Sequence, residues 1–286
     1  MPQGWTVLRM GLLAAWLGAA SWAQAAISVQ DDEGKAVTLA APARRIISLA
    51  PHTTELLFAA GAGPQVIATV RYADYPAAAK ALPQVGDAHG LDLEQIAALK
   101  PDLLVVWMHG SSAQQIERLR ALKLPIFFSE PRQLPAISDS LRRLGALAGT
   151  DAQARQAADA FDAERLRLQA RYSQRAPLRV FYQVWNQPLL SLNRQHLIHD
   201  VITLCGGVNV FAAESALVPV LSAESVLAAR PQVLVTSSVD GRPDDSLAMW
   251  RPFKAFEPVA RGQMLWLHAD LISRQSPRIL QGAGAL

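Results

Sequence analysis

The stretch from Thr150 to Ala176 contains neither Gly nor Pro and is dense in Ala, Gln, Arg, Glu and Leu. These residues lose little freedom in a helix, so one long helix is expected here. Gly149 suits the left-handed stop of a preceding helix, and Thr150 with Gln153 reads as a capping box. Asp151 lies where the helix dipole favours a negative charge, and Pro177 closes the stretch. At 1.5 Å per residue the helix would be roughly 36–40 Å long. Its apolar stripe is thin (Ala154, Ala157, Phe161, Leu168, Tyr172), which predicts a strut between two bodies rather than a core helix.

Two similar segments flank the strut. Asp92 to Val106 and Ser222 to Thr236 each run polar cap, Glu two residues on, short amphipathic helix, basic-Pro stop and buried-type strand. Glu94 and Glu224 occupy equivalent places in the two copies. Around them strand and helix signals alternate, which predicts mostly parallel sheets with both faces covered. Strands are expected at 45–49, 66–70, 103–107, 125–128, 180–184 and 264–267. Helices are expected from Thr53 or Thr54 to Gly61, and at 92–99, 113–122, 134–148, 196–205 and around 246–250, with a closing helix after Pro277. The reading is an α/β chain of two similar lobes, 26–149 and 177–286, joined by one bridging helix over 150–176. A crevice between lobes is the default place for a ligand.

Residues 1–25 read as a signal peptide, with Arg9, an apolar run from Met10 to Ala20 and the small-x-small site Ala23-Gln24-Ala25. Export to the periplasm is expected, with the mature chain starting near Ala26. No Cys follows the cleavage site, so no lipid anchor is indicated. The formal charge is only +3 and the basic residues are dispersed, so no nucleic-acid partner is expected. Cys205 is the single cysteine, which excludes an internal disulfide and any multi-Cys metal site.

Arg45 to Gly61, with the run Ser48-Leu49-Ala50-Pro51-His52-Thr53-Thr54-Glu55-Leu56, resembles the opening of the periplasmic binding proteins of ABC importers for cobalamin, haem and siderophores. Tyr72-Ala73-Asp74-Tyr75-Pro76, Leu93-Glu94 through Trp107, Leu204-Cys205-Gly206-Gly207 and Ser276-Pro277-Arg278 extend the likeness over nearly the whole exported chain. It is nearest the cobalamin (vitamin B12) branch. The resemblance implies a monomeric carrier, with no catalytic residues and no cofactor of its own. Such a carrier holds a corrinoid and delivers it to a dimeric inner-membrane ABC permease with its ATPase subunits. It further implies that Tyr72, Trp107, Trp185, Asp270 and Arg274 contact the ligand, and that Glu94 and Glu224 dock onto arginines of the permease. A further Trp that the resemblance implies three residues after Gln84-Val85 is absent, because Ala88 stands there. Haem and ferric-siderophore carriers therefore remain alternatives.

The physical logic fits. A corrin is a broad apolar plate with amide fringes, suited to aromatic walls and a few hydrogen-bonding side chains. His89 and His109 follow expected crevice positions and could approach a bound metal centre. His196 and His199 lack a third ligand in register, so no metal site is expected. No Gly-x-Ser-x-Gly elbow, Gly-Lys-Ser/Thr phosphate loop or His-Glu-x-x-His motif occurs, so an enzyme is not expected. A tetrapyrrole metal chelatase is the enzyme alternative, and the export signal opposes it.

Overall fold

The computed structural model describes residues 26–172 and 174–286. The expected signal peptide, 1–25, lies outside the described residues.

A hairpin of β1 (Ile27–Gln30) and β2 (Ala36–Leu39) precedes the first lobe. That lobe comprises β3 (Ile46–Ser48), α1 (Pro51–Ala59), β4 (Val66–Ala68), α2 (Leu93–Ala98), β5 (Leu103–Trp107), α3 (Ala113–Ala121), β6 (Ile126–Ser129) and α4 (Leu134–Ala148). The long helix α5 (Asp151–Tyr172) comes next. The second lobe opens with β7 (Leu178–Tyr182), the small hairpin β8 (Trp185–Asn186) and β9 (Leu189–Leu190), then α6 (Leu197–Leu204) and β10 (Gly207–Asn209). It closes with α7 (Ala223–Ala228), β11 (Val233–Ser238), α8 (Glu257–Ala260), β12 (Met264–His268), α9 (Ala269–Ile272) and α10 (Ile279–Ala285).

Each lobe holds a four-stranded parallel sheet, ordered β4-β3-β5-β6 in the first and β10-β7-β11-β12 in the second. Counted within its own lobe, each sheet has the same order, 2-1-3-4. The repeat seen in the sequence is thus a repeat of topology.

Its details match as well. The Asp92 side chain accepts from the Gln95 N–H at 2.8 Å, and the Ser222 hydroxyl accepts from the Ser225 N–H at 3.1 Å. Both helices end in a cation with left-handed backbone, Lys100 and Arg230, each at φ 46°. Arg45 donates to the Leu99 and Lys100 carbonyls, as Arg179 does to those of Ala229 and Arg230. These contacts satisfy helix-end carbonyls that would otherwise lack partners.

Alternate strand residues face opposite sides of each sheet. Ile47, Leu104, Val106 and Phe128 fill the outer layer of the first lobe, and Phe181, Leu234 and Trp250 that of the second. Ile46, Val105 and Phe127 of one sheet and Val180, Tyr182 and Val235 of the other belong to a single buried cluster. Leu141, Leu144, Ala154, Ala158 and Phe161 of α4 and α5 join it. The apolar core is therefore continuous through both lobes, with the narrow apolar seam of the long helix packed onto it.

α5 buries Ala154, Ala158, Phe161 and Leu168 and little else. At 1.5 Å per residue it is about 33 Å long. It ends at Tyr172, short of the expected Ala176. The Arg175 N–H donates to the Tyr172 carbonyl in a closing turn, and Pro177 disfavours helix at the residue before it. Gly149 is left-handed, at φ 68°, and the Thr150 N–H returns to the Gly145 carbonyl. The Thr150 hydroxyl, expected in a capping box, donates to the Ala60 carbonyl at 2.7 Å and so ties the start of α5 to the end of α1.

Several short elements were not expected from sequence: the β1–β2 and β8–β9 hairpins, β10, and the one-turn helices α8 and α9, each only two to four residues long. Gly206-Gly207 does stop α6, but the chain then pairs at once with β7.

Candidate functional site

In a sheet of order 2-1-3-4 the connections that follow the first and the third strands run to opposite sides. A crevice therefore opens beyond the carboxyl ends of the first and third strands. In the first lobe these are β3, followed by Leu49, Ala50 and Pro51, and β5, which ends in Trp107. A cavity of about 310 Å³ lies there, lined among others by Leu49, Pro51, Tyr72, Ala88, His89 and Trp107. Tyr72 and Trp107, expected in the site from sequence, thus share one cavity wall, and Ala88 opens space where a larger aromatic was expected.

Next to the Leu49–Pro51 loop that lines this cavity lies a fully buried hydroxyl cluster. The Ser48 Oγ lies 2.7 Å from the Thr53 Oγ1 and 2.8 Å from the Thr54 Oγ1, and Thr54 reaches Thr69 at 2.8 Å. Thr53 accepts from the Ala50 N–H, so this short loop is braced before α1 begins at Pro51. On the rim, Asp87 accepts from the His89 and Gly90 N–H groups and shapes the turn that carries Ala88 and His89.

Trp107 packs edge-on against His52, with ring centroids 5.4 Å apart at 87°. His52 is 3 % exposed, and its Nε2 and the Trp107 Nε1 are both buried without a partner. Burial first, then the nearby Arg274 charge, pushes the His52 pKa down to about 3, so the ring is neutral at pH 7. Gly110 lies so close to Trp107 that a Cβ there would stand 1.9 Å from its Cε3.

Tyr72 is 68 % exposed and has a left-handed backbone, φ 66°. For a residue with a side chain this costs about 1–2 kcal/mol, so the surroundings must hold it. They do so from the other lobe: the Arg274 Nη2 donates to the Tyr72 carbonyl at 3.2 Å.

Arg274 is more occupied than sequence suggested. Its Nη1 donates to the Glu55 Oε1 at 2.8 Å and to the Asp74 Oδ1 at 3.0 Å, and its Nη2 lies 2.8 Å from the Asp270 Oδ1. Expected to serve the ligand's fringes, this guanidinium instead spends its terminal donors on protein oxygens, four of them with the Tyr72 carbonyl. Burial opposes its charge, but the bonds to Glu55 and Asp74 outweigh that and raise its pKa. Asp270, beside it, stays one-third exposed.

Glu55, Asp74, Ser276 and Arg278 belong to this network and were not singled out as site residues. Ser276 donates to the Glu55 Oε2 at 2.5 Å, and the Arg278 Nε lies 3.3 Å from the same oxygen. Arg278 stacks on the Tyr75 ring at 4.1 Å. The available signal was Glu55, the one acidic residue of α1.

Trp185 projects from β8, 60 % exposed, with its Nε1 donating to the Gln187 carbonyl at 2.9 Å. It follows the first strand of the second lobe and is not part of the wall built by Tyr72 and Trp107. Glu94 and Glu224 are exposed in the first turns of α2 and α7. Neither carboxylate is ion-paired among the described residues.

The histidines separate. His89 lines the cavity. His109 turns to Glu130, with its Nδ1 3.0 Å from the Oε2. The His196 Nδ1 accepts from the Ile198 N–H as the cap of α6, and burial lowers its pKa to about 4. Among the described residues no group of three His, Cys, Asp or Glu side chains is placed to hold a metal ion. Cys205 is half-buried, its thiol pushed up to about 11 by burial and donating to the Ala283 carbonyl, so it is chemically quiet. No helix among the described residues is long and apolar enough to cross a membrane.

A family model described as periplasmic binding protein matches residues 46–249. The chain is similar to a vitamin B12-binding protein of Yersinia pestis (strain Pestoides F), at 38 % identity over 244 residues and 85 % of each chain. Among solved structures it is similar to the periplasmic vitamin B12 binding protein BtuF of Vibrio cholerae. The TM-score there is 0.77 at 36 % identity, covering 85 % of this chain and 94 % of that one. It is also similar to the periplasmic heme-binding protein RhuT from Roseiflexus sp. RS-1 in apo form, with a TM-score of 0.72 at 25 % identity over 84 % and 95 % of the two chains.

Proposed function

The chain belongs to the periplasmic binding protein family, and we propose that it captures cobalamin or a related corrinoid between its lobes and hands it to an inner-membrane ABC importer. It is a binding protein for transport and not an enzyme. What carries the ligand reading is the pairing of Tyr72 and Trp107 on one cavity wall, in a chain 38 % identical to a vitamin B12-binding protein. The first-lobe cavity takes one flank of a broad apolar plate, and Trp185 covers the side toward the second lobe. Asp270, backed by Arg274, offers a polar edge to amide fringes. Stacked aromatic faces hide such a plate from water, and that burial supplies most of the binding free energy.

The same reading makes Glu94 and Glu224 the docking points. A two-fold permease meeting two lobes of the same topology needs the same charge at equivalent corners, which steers encounter and fixes orientation. Residues 1–25 would direct export as a cleaved signal peptide, and the carrier would act as a monomer on a dimeric permease with its ATPase subunits. Because one apolar core runs through both lobes and takes in the seam of α5, only limited opening and closing is expected on binding.

The test is a side-by-side titration with cyanocobalamin, haemin and a ferric siderophore, by calorimetry and by the fluorescence of Trp107 and Trp185. Tight stoichiometric binding of cyanocobalamin supports the reading. Preference for haemin, with His89 at the cavity wall, would move the chain to the haem carriers. Preference for the ferric siderophore would move it to the siderophore carriers. Small-angle scattering that showed a large compaction on ligand addition would contradict the rigid-core part.

A further inference from the structure

Glu55, on the first lobe's α1, has its side chain only 1 % exposed and sits outside the Tyr72–Trp107 cavity, beside a second one that it lines with Tyr75, Pro277 and Arg278. Its partners Arg274, Ser276 and Arg278 all belong to the second lobe. Two cations and one hydroxyl thus converge on a single carboxylate across the lobe boundary. From that anchor Arg274 extends back to the first lobe, donating to Asp74 and to the carbonyl of Tyr72. The Tyr72 ring meanwhile projects into the crevice from a left-handed backbone that its own side chain disfavours. The guanidinium is a planar fork with fixed donor directions, so fixing one end of it against Glu55 fixes what the other end can hold.

We propose that Glu55 is a positioning residue for the ligand crevice: through Arg274 it clamps the second lobe to the Tyr72–Asp74 segment and so presets both the lobe spacing and the Tyr72 ring. Glu55 need not touch the ligand. The clamp fits the shared core, which resists bending but cannot by itself orient an exposed loop. The inference deepens the corrinoid-carrier reading and rests on it for the identity of the ligand. Its conformational half does not depend on that identity.

The experiment uses the full exported chain with Cys205→Ala and nitroxide labels at Arg118→Cys on α3 and Ala228→Cys on α7. Inter-lobe distances are read by pulsed electron resonance without ligand, and cyanocobalamin association and dissociation by stopped flow. Glu55→Gln keeps the side chain's shape and removes its charge. Asp74→Asn weakens the same guanidinium from a half-exposed position, so it serves even where Glu55→Gln fails to fold. Both variants should give a wider distance distribution. A crevice preset only part of the time lowers apparent affinity by the competent fraction, so Glu55→Gln should bind about tenfold more weakly and Asp74→Asn a few-fold, mainly through slower association. An unchanged distance distribution in a folded variant overturns the clamp. A wider distribution with wild-type affinity overturns its role in shaping the crevice. Failure of the unmutated chain to bind cyanocobalamin sinks the corrinoid reading instead, and the ligand-free distances then decide the clamp alone.

Discussion

Arg45 of the first lobe and Arg179 of the second make the same contact: each guanidinium donates to the last carbonyls of the short helix beside it, at Leu99 and Lys100 in one case and at Ala229 and Arg230 in the other. The neighbouring detail repeats too, with the Asp102 carboxylate accepting from the Arg45 N–H and the Gln232 amide oxygen accepting from the Arg179 N–H. Two lobes of one topology therefore share even the way they close a helix end.

These contacts are solvent-exposed charge-assisted bonds. Arg45→Ala and Arg179→Ala should each cost about 1 kcal/mol, less than a buried equivalent. Lying in different lobes, the two should add in the double variant. Urea unfolding midpoints check both statements, and a double variant no weaker than either single one would contradict them.

The ligand wall gives a sharper expectation. Trp107→Ala removes a large aromatic face and should weaken cyanocobalamin binding by about 2 kcal/mol, roughly 30-fold. Gly110→Ala leaves the ring in place chemically, but its methyl would stand 1.9 Å from the Trp107 Cε3, so the ring must turn. About tenfold weaker binding is expected, with far-UV dichroism unchanged. Calorimetry on both variants measures the two effects side by side.

Reversal of the matched carboxylates should separate docking from capture. Glu94→Lys and Glu224→Lys should each slow association with the importer about tenfold at low salt, and together nearly abolish transport in proteoliposomes. Corrinoid affinity should not change, because neither residue lines the cavity. A loss of ligand affinity in the single variants would refute this assignment.

Acid should destabilise the protein earlier than its carboxylates require. Burial holds His52 near pKa 3, with Arg274 adding to it, and burial alone holds His196 near 4, against an ordinary value of 6.5. Below pH 6.5 the unfolded chain takes up both protons and the folded chain refuses them. Stability should thus fall as pH drops from 6.5 toward 4, by up to about 1.4 kcal/mol per pH unit for each group. Urea midpoints at pH 7, 5.5 and 4.5 should trace this decline, and His52→Gln should make it shallower, with His196 keeping its share.

The strut depends on close helix contact. A Cβ at Gly145 of α4 would meet the Ala154 Cβ of α5 at 2.1 Å. Gly145→Ala must therefore push apart the pair of helices that carries the shared core. A loss of about 2 kcal/mol is expected despite the better helix propensity of Ala. Thermal or urea unfolding measures it.

The sequence by itself determined the long helix, the alternation of strand and helix, and the twofold repeat that carries Glu94 and Glu224. Those features follow from local chemistry: helix formers without Gly or Pro, caps such as Asp92 and Ser222, and Pro101 and Pro231 after matched helices. Tyr72 and Trp107 were singled out only through the resemblance to the cobalamin-binding branch, position by position, and not by any local pattern of their own. Only the tertiary structure decided what Arg274 does. Glu55 lies 219 residues before it in sequence, and no periodicity links two residues that meet solely because the two lobes pack against each other. The single core through both lobes and the burial of His52 under Trp107 were hidden for the same reason: burial and pairing are properties of a packed arrangement, and the chain's own pattern records only which face each element will bury.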